Sequence, residues 1–165
     1  MEKRPRIKIE RTSLDKAVDL AGWLILAFLW VMILLNYADL PDTIPTHFNA
    51  AGKADDYGSK STLFMLSVIA TILYAGMTRL NLFPHIFNFP TKITAENALR
   101  QYTSSTQMMR YVKLVIVFLF TIIVFKTMQT ATGKSDGLGF WFLPLVLMLV
   151  LSPVIFYLIR FYRAK

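Results

Sequence analysis

Four stretches of the chain carry no charged side chain: Leu20–Ala38, Ser61–Thr78, Leu114–Phe125 and Gly137–Ile159, of 19, 18, 12 and 23 residues. Crossing about 30 Å of hydrocarbon at 1.5 Å per residue takes roughly 20 apolar residues in a helix. Three of the runs meet that length directly. The third reaches it when widened to 108–128, with Lys113 and Lys126 expected to snorkel towards the head groups. The alternative for Lys113 is an ion pair with Asp19. Leu114-Val115-Ile116-Val117-Phe118-Leu119-Phe120 is apolar all round, which suits a span better than an amphipathic surface helix. The pattern predicts an all-α polytopic membrane protein forming one four-helix domain over 1–165, with spans near 16–37, 61–80, 108–128 and 138–160.

Local signals refine the boundaries. Thr12 or Ser13 suits the first N-cap, with Asp15 complementing the helix dipole. Ser59 or Ser61 suits the second. Arg6-Ile7-Lys8-Ile9-Glu10-Arg11 alternates like a short strand or an extended tail. Pro84 and Pro90 predict an extended interfacial segment within the 81–107 connection. Thr94 reads as an N-cap, with Glu96 in the following turn and a helix running from Ala95 through the third span to Met128. Residues 130–137 form a short loop. Pro153 should kink the fourth span. Ser67, Thr71 and Gly76 read as helix-packing positions on the second span.

Composition agrees: 55% of the residues are hydrophobic, 17% are charged, and mean hydropathy is +0.49. The net charge of +8 invites a nucleic-acid reading, but its distribution excludes one. Lys and Arg gather in residues 1–16, in the connection from Arg79 to Lys113, and after Ile159. The 38–60 segment instead holds four aspartates against two lysines. That is the positive-inside pattern. It places both termini and the 81–107 connection in the cytoplasm, and the 38–60 loop outside a bacterial cytoplasmic (inner) membrane. Leu20–Ala38 is too long for a signal-peptide core, and the bulky Leu35-Asn36-Tyr37 offers no cleavage site. The chain has no cysteine, so no disulfide or thiolate chemistry is available.

The 38–60 loop holds the candidate chemistry. Pro41, Pro45, Gly52 and Gly58 set a rigid path, with Gly52 expected at positive φ. Phe48 and Tyr57 suit interfacial anchors. His47, Asn49 and Asp55 can order the loop through backbone hydrogen bonds or recognise a partner. With Asp42 and Asp56 they can instead hold a metal ion or position a water. The spacing matches no established ligand pattern, and no cofactor is implied. A secondary patch comprises Pro84, His85, Asn88 and Asn97. Uniting His47 with His85 would need a re-entrant loop, which Ser61–Thr78 does not suggest. No acid or base falls at mid-depth in a span, which argues against an ion-coupled carrier.

The pattern Leu-Pro-x-x-Ile-Pro-x-His-Phe-Asn-x-x-Gly-x-x-Asp over Leu40–Asp55 resembles the signature of domain of unknown function 1648. That domain also forms the N-terminal part of SdpI-type toxin-immunity membrane proteins. The resemblance covers about twenty residues strongly and the first two spans by pattern. It implies an immunity-like, non-enzymatic membrane protein whose outer loop recognises a peptide, a toxin or a membrane-protein partner, with the lipid bilayer as its other partner. The alternatives are an outer-face, metal-dependent enzyme and a scaffold or subunit of a membrane complex.

Overall fold

The computed structural model describes residues 4–163. Its helices are α1 (Ser13–Asn36), α2 (Thr62–Leu80), α3 (Ala98–Ala131) and α4 (Phe142–Arg163). All four are long and apolar enough to cross a membrane. The chain is a mostly helical membrane protein, as expected. It adds one element that the all-α reading lacked. Between α1 and α2, strands β1 (Thr43–Phe48) and β2 (Ala54–Ser59) pair as an antiparallel hairpin.

α3 is the axis of the molecule. It packs against α1, α2, α4 and β1. Its 34 residues run without interruption through Thr103-Ser104-Ser105-Thr106. Ser105 and Thr106 turn their hydroxyls onto carbonyls one turn back, which removes their competition with the helix. Leu26, Leu29 and Ile33 of α1 recur at helical spacing and meet Leu63, Ala70 and Tyr74 of α2 and Val117 and Val124 of α3. The outward faces stay greasy: Leu24, Phe28 and Leu35 of α1 and Leu147, Ile155 and Phe156 of α4 are all exposed.

In hydrocarbon, apolar surface gains little by meeting a helix instead of a lipid, so close approach and hydrogen bonds decide which helices pair. Gly22 lets the Tyr74 ring lie flush on α1, where a Cβ would come within 2.5 Å of Cε2. The Tyr74 hydroxyl then donates to the Asp19 carbonyl at 2.8 Å. Trp30 Nε1 donates to Thr71 Oγ1 at 3.0 Å, and Thr71 passes its own proton to the Ser67 carbonyl at 2.7 Å. Ser67 and Thr71 are thus packing positions as expected. Gly76 is not: it is exposed, with open space around it.

At the end of the bundle nearer the termini, α1 and α3 are joined by buried charge. Lys113 Nζ lies 2.8 Å from Asp19 Oδ1, 2.7 Å from Thr78 Oγ1 and 4.6 Å from the Tyr74 ring centroid. Arg110 pairs with Asp19 at 3.4 Å and Asp15 at 3.5 Å. The expectation that Lys113 snorkels is corrected: its side chain is 1% exposed and paired. A facing carboxylate within reach outweighs a distant head group, because it neutralises the charge without extending the chain to water.

Thr12 caps α1, with Asp15 completing a reciprocal capping box. Ser61 is the N-cap residue of α2, although its side chain makes no capping hydrogen bond. Residues 4–11 lie in neither helix nor strand, with Ile7 and Ile9 packed on Ile93, Ala98 and Tyr102. The extended reading of 81–90 is corrected in part: Pro84–Ile86 is a 3-10 turn, opened by proline's preset φ. The cap of α3 is also corrected. The helix begins at Ala98 after Asn97, not at Ala95, although the Thr94 carbonyl still accepts from Ala98 N–H at 3.0 Å. Pro153 sits inside α4, which carries on to Arg163.

Candidate functional site at the hairpin

The segment from Leu40 to Lys60 is a folded cap built by a few locks. At its base Lys60 does four things: its N–H bonds the Asp42 carbonyl, and its ammonium bonds the Leu40 carbonyl at 3.0 Å, pairs with Asp42 at 3.2 Å and lies over Tyr37. Ile44 drives the strand into the bundle, where it is fully buried. Pro45 is buried beside it, opposite Tyr57.

At the tip, Asn49 Oδ1 accepts the Ala51 and Lys53 amides at 3.0 and 3.2 Å, and the Asn49 carbonyl accepts Gly52 N–H at 2.8 Å. These bonds close an Asx-turn at Asn49. Gly52 closes it at φ 75°, the positive value expected.

The register around His47 is irregular. Pro45 pairs with Tyr57, His47 with Asp56 and Phe48 with Ala54. Thr46 is therefore an extra residue on β1, and Asp55 an extra residue on β2. Two compensating bulges re-aim the side chains between them. His47 Nδ1 and Asp55 Oδ1 consequently meet at 2.5 Å on the exposed side of the hairpin. Asp42 is not part of this pair, since it is engaged by Lys60. Among the described residues no three His, Asp or Glu side chains come together in a metal-binding group.

Beneath β1 lies a cavity of about 240 Å³. Pro45, His47 and Phe48 line it from the hairpin, and Met65, Ile123 and Leu138 line it from α2, α3 and the α3–α4 loop. Three of the candidate residues thus face one mostly apolar hollow. Asp55 orients His47 at its mouth, and Asn49 and Gly52 hold the tip beyond it.

Sequence reasoning missed what holds the tip down. The Gly52 carbonyl accepts the Leu138 amide at 2.7 Å, and Lys53 bridges to Gly137. Gly137 and Gly139 have φ of 139° and 86°. A Cβ on Gly52 would come within 2.5 Å of the Gly139 carbonyl oxygen, and one on Gly137 would overlap the Gly52 carbonyl. The available signal was the pair of glycines flanking Leu138 at the end of a polar loop. Nothing local said which backbone they would meet.

The secondary patch is a different place. Arg4 donates to the carbonyls of His85 and Phe87 at 3.1 and 2.6 Å, which ties the N-terminal arm to the Pro84 turn. Asn97 accepts from Thr94 N–H and donates to the Lys92 carbonyl, while Asn88 is exposed. The Thr94 hydroxyl beside Glu96 holds that carboxyl below the usual glutamate range. His85 and His47 belong to separate ends of the chain's fold. Pro45, His47 and Phe48 lie in β1, whereas Pro84 and His85 lie in the 3-10 turn.

A protein described as uncharacterized from Archaeoglobus fulgidus is 31% identical over 114 residues, covering 64% of this chain. The chain spans about three-fifths of the length of that relative, 62%. No solved structure matches the chain. Residues 24–71, which take in most of α1, the whole hairpin and the first half of α2, match the model of the family described as domain of unknown function (DUF1648), the family that the Leu40–Asp55 pattern resembles.

Proposed function

We propose that this chain is a bacterial inner-membrane protein, with both termini cytoplasmic, whose hairpin recognises a peptide, toxin or membrane partner in an immunity-like role. One observation carries the reading. Pro45, His47 and Phe48 line a single apolar hollow against α2 and α3, on a hairpin fixed at both base and tip. A preorganised apolar recess with a polar group at its rim is what an apolar side chain of a partner needs, because little ordering cost remains at binding. The His47–Asp55 pair supplies a directional contact at the mouth. The basic arm and connection favour the cytoplasmic side for the opposite end.

The test is the triple variant His47→Ala/Asn49→Ala/Asp55→Ala, joined by Phe48→Asp as a single change in the hollow. Both should lose protection against a toxin peptide, or capture of a partner by a photo-cross-linker on the hairpin, while membrane levels match the parent. Activity equal to the parent in both variants refutes the proposal.

A further inference from the structure

A second cavity, separate from the hollow under β1, opens on the α1–α3 seam at the hairpin end of the bundle. Its volume is about 260 Å³, just below the ~300–1,000 Å³ of small-ligand sites. Its floor is Met32, Leu40, Phe125 and Met128, an apolar surface continuous with the helices that cross the membrane. Its rim holds Asn36, Asp39, Gln129 and Lys134. Asp39 ends the 3-10 turn that follows α1, and Lys134 lies three residues past the end of α3. Both helices therefore stop at the same level, and the polar rim sits where their apolar length runs out.

The two rim charges set the chemistry of this place. The other three acids of the 38–60 segment are all engaged. Asp42 pairs with Lys60, Asp55 pairs with His47, and Asp56 accepts the Tyr57 amide. Lys60 and Lys126 are likewise occupied, the latter on Ser135 at 2.6 Å. The Asp39 carboxylate and the Lys134 ammonium have no side-chain partner among the described residues, and they border the same cavity. Asn36 donates its amide N–H to the Met32 carbonyl at 2.7 Å, which leaves its side-chain oxygen turned out as an acceptor. The cavity thus offers an anion, a cation and neutral amides above an apolar floor.

We infer that this cavity binds the head group of a zwitterionic phospholipid bearing a primary ammonium. The ammonium goes to Asp39 with Asn36, the phosphate goes to Lys134 with Gln129, and an acyl chain lies over Met32 and Phe125. A primary ammonium fits better than a quaternary one, because only the first can donate hydrogen bonds to the carboxylate and the amide oxygen. An anionic lipid lacking the ammonium leaves Asp39 facing a phosphate of its own sign.

The test uses the full chain in nanodiscs of phosphatidylethanolamine, phosphatidylcholine or phosphatidylglycerol, with retained lipid counted by native mass spectrometry after detergent release. The ammonium of phosphatidylethanolamine donates charge-assisted hydrogen bonds that the quaternary head group of phosphatidylcholine cannot, so it should be retained at least about tenfold over phosphatidylcholine. Asp39→Asn should erase that preference, and Lys134→Gln should weaken retention of both lipids. Both side chains are exposed and unpartnered, so each variant should melt with the parent. Equal retention of the three lipids, a preference for phosphatidylglycerol, or an unchanged preference in Asp39→Asn overturns the inference.

Discussion

Replacing Lys113 by Met probes the buried charge that joins the first three helices. Methionine keeps the length and apolar body of the side chain and removes only the ammonium. The lost attraction to Asp19 at 2.8 Å has a gross Coulomb value of about 6 kcal/mol at an effective dielectric of ~20. Most of that is offset, since a buried Lys no longer has to be desolvated. Breaking one side of a buried pair typically costs about 3–5 kcal/mol. Asp19 keeps Arg110 at 3.4 Å and Arg11 at 3.7 Å, which places Lys113→Met at the low end, about 3 kcal/mol. Asp19→Asn is the harsher change, about 4 kcal/mol, because Lys113 then loses its carboxylate partner and Arg110 keeps Asp15 alone. The double variant leaves Asp15 opposite Arg110, a balanced pair. It should therefore be destabilised by less than the sum of the two single changes, with a coupling of about 2 kcal/mol. The assay is unfolding in mixed micelles, followed by circular dichroism for all four proteins of the cycle. If the single changes add to within about 0.5 kcal/mol, the two groups do not interact. A near-neutral Lys113→Met would mean that the ammonium reaches the head groups after all.

Three other outcomes can be checked with the same protein. Gly22→Ala drives a methyl into the Tyr74 ring and should cost about 1–3 kcal/mol, with part of the loss recovered in a Gly22→Ala/Tyr74→Phe double variant; parental stability of Gly22→Ala refutes the close approach. Gly52→Ala combines a left-handed φ with a clash on the Gly139 carbonyl, so the tip should detach, read as faster hydrogen exchange at the Leu138 amide than in the parent. Thr94→Ala should raise the Glu96 pKa towards the usual range in a carboxyl NMR titration. The sign follows from the depression: the ionised form is the one stabilised, so the contribution is present above the ordinary glutamate pKa and fades as pH falls through the lowered one.

The spans were legible because lipid imposes a crude and strong rule: roughly 20 residues without charge. Their ends were less so. Ser13–Asn36 and Thr62–Leu80 fall close to the expected 16–37 and 61–80, and Ala98–Ala131 starts and stops three residues later than the helix expected from Ala95 to Met128. What the sequence left open was the partner of its first turns, where Ala98 and Tyr102 pack on Ile7 and Ile9 of the arm. The hairpin was hidden for a related reason. Two prolines and two glycines disguise β1 and β2 as irregular, and the double bulge at Thr46 and Asp55 breaks the alternation that marks a strand. Gly52 was readable, because a left-handed glycine closing a tight turn is a local matter. The Gly137–Gly139 pair was not, since it is decided by Gly52, 85 residues away, whereas the pairing of Lys113 with Asp19 was legible as the alternative to snorkelling.

The fastening of the hairpin tip is made of main chain alone, glycine against glycine. Its attachment is therefore indifferent to the side chains at Ala50, Ala51, Thr46 or Tyr57. Such an anchorage lets lineages rewrite the displayed surface, residue by residue, while the platform that presents it keeps its attitude. Variation among relatives should crowd onto those display positions and spare the three small residues at the hinge point.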